Sequence, residues 1–140
     1  MSAGYSGTPL WKKLGLKDGG TLAAVNAPAG FAEDLGDLPP GANIRKGLKA
    51  EEMLCIVFVA DRAALEKQIA VAAKKLHRNG SLWISWPKKS SKLFKDLTED
   101  GIRDVVLTMG LVDVKVCAVN DDWSGLKLMV RKELRLKWQN

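Results

Sequence analysis

The chain predicts a three-layer α/β fold, with a mostly parallel sheet that closes in an antiparallel hairpin. Three observations carry this. Residues 53–60, MLCIVFVA, are apolar throughout, which suits a strand buried on both faces, as in a parallel sheet. Strand and helix patterns then alternate with short connections, the order that right-handed crossovers produce. Residues 120–125, NDDWSG, separate two apolar runs as a turn between antiparallel partners does.

Local signals justify each element in order. Thr8-Pro9 before LWKKLG predicts a short helix, with Thr8 as N-cap, Pro9 in the first turn and Gly15 as the stop. Leu10, Trp11 and Leu14 share one side of it. Residues 1–20 therefore read as a docking helix and turn covering an edge of the sheet. TLAAVN is a short apolar strand, FAEDLG makes one or two helical turns, LPPG is a turn and ANIRKGL a weak second strand. After MLCIVFVA, Asp61 stands in the N-cap position of a helix predicted over 62–80. Leu65, Ile69 and Leu76 form its apolar stripe, and Gly80 ends it. SLWISW is the next strand. Thr98 caps a helix with Ile102, Val105, Val106 and Met109 inward and Gly110 at its end. VDVKVCAVN and LKLMVRKEL close the chain.

The chain has 140 residues, a length expected of one α/β domain over 1–140. With 46% hydrophobic and 27% charged residues it reads as soluble and globular. No apolar run approaches the ~20 residues that span a bilayer, so no membrane partner is expected. MSAGYSGTPL has neither the basic start nor the apolar stretch of a secretory signal. Cys55 and Cys117 lie in apolar runs and read as buried free thiols, which points to the cytoplasm; a disulfide between neighbouring strands is the alternative. The net charge of +6 permits polyanion binding, but the basic residues are scattered, and nucleic acid is the least favoured partner. The C-terminal RKELRLKWQN reads as an edge strand whose cations deter sheet-to-sheet pairing, or alternatively as a nucleic-acid tail.

Ligands of open α/β sheets bind beyond the carboxyl ends of the strands. Four loops are expected to meet there. NAPAGF offers Asn26 and Gly30, and Asp61 follows the central strand. WPKKSSK offers Trp86, Lys88, Lys89, Ser90 and Ser91; NDDWSG offers Asp121, Asp122, Trp123 and Ser124. Trp86 and Trp123 would supply flat apolar walls and the lysines a basic rim for an anionic small molecule or an acidic protein segment. The alternative is that Trp86-Pro87 packs a strand end and the lysines are simply solvated.

KKLHRNGSLWISW resembles the helix, glycine turn and strand of class I S-adenosylmethionine-dependent methyltransferases. The following helix ending in MGL and the closing hairpin are similar to the late part of that fold, over roughly residues 50–132. The resemblance implies a Rossmann-like, methyltransferase-like fold. In that family a Gly-rich loop after the first strand approaches the cofactor, and an acid after the second binds its ribose. This chain has VNAPAGF in the first place, where Pro28 removes a backbone donor, and Lys49-Ala50 ahead of Glu51-Glu52 in the second. No cofactor is therefore expected. Over nearly its full length the chain also resembles an uncharacterised family of small bacterial proteins. YSGTPLWKKLG, VNAPAGF, SLWISWPKKSS and GLVDVKVCAVNDDWSGLKLMVRK carry that likeness, which implies no activity.

Other chemistries lack their residues. The one histidine, His77, is expected at a helix end. One histidine and two separated cysteines make no metal site, although Asp121 and Asp122 would hold a hard cation weakly. Neither cysteine has a partner that would make it a thiolate, and no P-loop or GxGxxG is present. The expected function is a non-catalytic binding or interaction module. The alternatives are a minimal S-adenosylmethionine-dependent methyltransferase and, third, weak nucleic-acid binding.

Overall fold

The computed structural model describes residues 7–138; Tyr5 and Ser6 of the YSGTPL stretch lie outside them. In chain order the elements are α1 (Leu10–Leu14), β1 (Thr21–Val25), α2 (Phe31–Leu35), β2 (Asn43–Lys46), β3 (Glu52–Phe58), α3 (Arg62–Lys75), β4 (Leu76–Pro87), α4 (Glu99–Val106), β5 (Leu111–Ala118) and β6 (Trp123–Val130). Short 3-10 segments follow α4 (Leu107–Met109) and β6 (Lys132–Lys137).

The six strands form one sheet in the order β2-β1-β3-β4-β6-β5. β1 to β4 pair in parallel, while β6 runs antiparallel to both β4 and β5. Five strands therefore point one way and β6 alone is reversed. This is the mixed, mostly parallel three-layer architecture expected from the sequence. On one face Leu65 and Ile69 of α3 and Ile102 and Val106 of α4 join Val57, Ile84 and Leu126. On the other, Leu10 and Leu14 of α1 and Phe31 and Leu35 of α2 join Leu22, Ile56 and Trp83. Cys55 belongs to the first layer and Cys117 packs against the second, so both thiols are free and the disulfide alternative falls.

Three expectations need correction. The first concerns α1, which starts after Pro9 with no side-chain cap from Thr8. Instead the Pro9 carbonyl accepts from Lys12 N and Lys13 N. Gly15, at φ 97°, ends it as expected. α1 also covers a face of the sheet, not an edge: fully buried Trp83 donates from Nε1 to the Leu14 carbonyl at 2.9 Å.

The second concerns α3, which stops at Lys75; residues 76–80 are the start of β4 and not a helical turn. Leu76 is buried, extended and paired with Glu52 of β3. Its carbonyl, which a continuing helix would turn toward residue 80, accepts from Trp138 Nε1 at 2.9 Å. The register then moves from Glu52↔Leu76 to Leu54↔Ser81, so His77 to Gly80 bulge out. Gly80 allows β4 to return because a Cβ there would run into the Glu52 carbonyl. His77 sits in that bulge, where Nδ1 accepts from Asn79 N at 3.0 Å. Beside the bulge, Glu52 is buried and held by both terminal nitrogens of Arg45 at 2.8 Å.

The third concerns the C-terminal stretch. β6 ends at Val130, residues 132–137 form a 3-10 segment, and the edge strand is β5. β5 carries its own irregularity, a register shift that leaves Val114 without an opposite number on β6.

Candidate functional site

The carboxyl ends of β1 to β4 and the β5–β6 turn share one rim, because β6 alone is reversed and begins where β5 ends. Past β1 the chain turns sharply. Asn26 has φ 58°, a left-handed conformation that asparagine tolerates, and Gly30 has φ 89° ahead of α2. Nothing crowds Gly30: a Cβ placed there would meet only Glu33 Oε2, at 4.0 Å. Two openings flank this loop and share Gly30 and Glu33. One, of about 640 Å³, is lined by Asn26, Pro28, Ile44 and Lys46 among others. The second, of about 500 Å³, adds Asp34 and the turn residues Asn120, Asp121 and Asp122. Asn120 Nδ2 donates to Asp34 Oδ2 at 2.9 Å and ties the turn to α2.

The same turn fixes the lysine-serine loop after β4. Asn120 Oδ1 accepts from the amides of Asp122 and Trp123, folding the turn on itself. The Asp122 carbonyl accepts from Lys88 N at 2.8 Å, and its Oδ1 accepts from Ser91 Oγ at 2.8 Å. Lys88 is half-buried and Lys89 and Ser90 are exposed, but none of the three lines either opening. The smaller opening is bordered by Glu33, Asp34, Asp121 and Asp122 and is acidic, whereas the larger sets Glu33 against Lys46, and the basic loop lies beside them.

The other anticipated residues divide by role. Trp123 stacks edge-on against Phe58 at 5.2 Å, which stacks on Phe31 at 5.1 Å, so it roots the turn in the α1/α2 layer. Trp86 is 5% exposed and belongs to the α3/α4 layer; it is core and gives a ligand no wall. Asp61 caps α3 by accepting from Ala64 N at 2.9 Å. Burial pushes the Cys55 thiol up to about 12 and also raises Cys117, so neither is a ready nucleophile. Among the described residues no three His, Cys, Asp or Glu side chains gather closely enough to hold a metal ion. Nor is any described helix long and apolar enough to cross a membrane. Sequence reasoning missed Glu33 and Asp34, whose signal was their place in the first turn after the β1 loop.

Neither a protein-family model nor a curated protein matches the chain, so the likeness to small bacterial proteins stays an expectation. Solved structures do match. A SAM-dependent methyltransferase from Aquifex aeolicus is 14% identical with a TM-score of 0.55, over 87% of this chain and 88% of that one. A TehB-like SAM-dependent methyltransferase from Corynebacterium glutamicum is 12% identical with a TM-score of 0.54, over 87% and 85%. The fibrillarin pre-rRNA processing protein of Methanococcus jannaschii is 14% identical with a TM-score of 0.56, over 79% and 66%. At these identities the likeness is one of fold, and the chain has the Rossmann-like fold of class I SAM-dependent methyltransferases.

Proposed function

We propose that the chain is a minimal methyltransferase that binds S-adenosylmethionine at the openings beside β1 and α2. The observation that carries this is the acidic opening at the carboxyl end of β1, within the fold of SAM-dependent methyltransferases. S-adenosylmethionine bears a sulfonium and an ammonium against one carboxylate, so it is a net cation. Four surrounding carboxylates favour it over the anion that Lys88 and Lys89 suggested. The residues fit in part. Gly30 leaves its backbone open to close approach, and Glu33, Asp34, Asp121 and Asp122 supply the charge. At the end of β2, however, Lys46 offers a ribose hydroxyl no acceptor. When bound, the cofactor supplies the activated methyl group; the chain's own part is to hold and orient it. Binding should stabilise the fold by mass action, by about 2.7 kcal/mol at a hundredfold excess over Kd, and so raise the melting temperature. Asp34→Asn combined with Asp122→Asn should reduce that rise. No shift with millimolar S-adenosylmethionine or its demethylated product overturns the proposal.

One observation favours a second reading, the non-catalytic binding or interaction module. α2 is only five residues long and Lys46 stands on the ribose side, so the crossover that surrounds a cofactor is abbreviated. Cofactor binding without methyl transfer to any acceptor would support that reading over the first.

A further inference from the structure

Another pocket opens at the opposite end of the sheet, where β1, β3 and β4 begin. It has a volume of about 370 Å³, the scale of a small-molecule site. Its floor is apolar, from Leu14, Leu16 and Leu54, and Met53, an exposed large apolar side chain at 54%, forms a lip. Its polar groups come from four separate elements: Lys17 before β1, Thr21 at its start, Asn79 and Ser81 on β4, and Lys127 on β6.

The charges make this pocket unusual. Lys115 of β5 lies directly opposite Lys127 of β6 in the hairpin register, an arrangement that destabilises a sheet when both groups are cations. Lys115 Nζ sits 6.0 Å from the centre of the Trp83 ring. Lys127 is half-buried, and desolvation, then Lys115 and Lys17, push its pKa down. Among the described residues no ion pair joins a carboxylate to Lys17, Lys115 or Lys127. Two ammonium groups, Lys17 and Lys127, thus line a pocket that also offers Asn79 and Ser81, with Lys115 behind them and no carboxylate within ion-pair distance among the described residues.

We propose that this pocket binds a small phosphate-bearing anion, with Lys17 and Lys127 as its direct partners and Lys115 reinforcing the field behind them. Lysine serves phosphate as a compact point charge with three donors, and Asn79 and Ser81 add hydrogen bonds that a solvated lysine patch would lack. The site lies at the far end of the strands from the methyltransferase openings, so it stands or falls independently of that reading.

The test uses inorganic pyrophosphate as probe, titrated into the isotope-labelled full chain at constant ionic strength, with amide shifts recorded by NMR. Expected are saturable shifts confined to the pocket, including residues 17, 21, 79, 81 and 127. Lys127→Gln and Lys17→Gln should each weaken binding by about tenfold or more, whereas Lys67→Gln, which removes an equal charge on exposed α3, should leave it unchanged. If shifts are diffuse and unsaturated, or if Lys67→Gln weakens binding as much as Lys127→Gln, the proposal is overturned in favour of general charge attraction. Should Lys127→Gln fail to fold, Lys115→Gln and Lys17→Gln must show the same selective loss; retention of full affinity in both overturns it too.

Discussion

The smaller opening at the carboxyl ends of the strands is bordered by Glu33, Asp34, Asp121 and Asp122, and the pocket at the amino ends by Lys17 and Lys127 with Lys115 behind. The contrast teaches that a formal charge of +6 is a sum over a molecule that encloses opposite charge in two of its cavities. Ligand choice follows the charge enclosed at each cavity, since only there does partial exclusion of water strengthen it. At the acidic end side-chain bonds tie turn to helix and loop, Asn120 to Asp34 and Ser91 to Asp122. The basic end adds apolar packing under Trp83 and the bulge before Ser81 to the bonds from Trp83 to Leu14 and Thr21 to Asn43.

That difference can be broken hardest at Trp83. Trp83→Ala should destabilise the fold by roughly 3–5 kcal/mol, because it empties a fully buried site, frees the Leu14 carbonyl and removes the ring beneath Lys115. Urea melts would show it, and the amide signals of α1 should change more than those of the β5–β6 turn. Gly80→Ala tests the bulge alone. Contact with the Glu52 carbonyl and Leu76 Cδ1 should cost about 1–3 kcal/mol in the same melts. The smallest effect has the opposite sign. Lys127→Met removes a like-charge cross-strand pair and a desolvation cost, so it should stabilise the free protein by about 0.2–1 kcal/mol.

The same lysine sets a pH signature. Its pKa is lower in the folded chain, so in the window below its usual 10.5 the unfolded chain binds more protons and this contribution to stability rises with pH. Cys55 acts the other way, since its thiol is raised to about 12 and stability falls with pH above the ordinary thiol range. Comparing stability–pH curves of wild type and Lys127→Met isolates the lysine, and parallel curves would refute its depressed pKa.

Much of this plan was legible in the residues. MLCIVFVA announced a central strand because both its faces are buried, and Asp61 and Thr98 announced their helices by caps that the structure contains. LHRNG misled because cations followed by glycine mark a helix end, whereas Leu76 pairs with Glu52 of β3 and its carbonyl takes a bond from Trp138, 62 residues away. Trp83 and Trp86 could not be assigned to layers from a run buried on both faces. The acidic border was hidden because Asp34 and Asn120 are 86 residues apart and meet only through the strand order. Lys115 and Lys127 were hidden too, since their opposition depends on the pair that closes the turn, Ala118 with Ser124.

The slip at Val114 has a consequence for the molecule in company. Along the outer margin of β5 the row of amides and carbonyls loses step halfway, so a foreign strand can match one half or the other but not its whole length. At the far margin β2 offers just four residues. An open sheet with two such poor templates resists being extended by its neighbours, even when they are abundant.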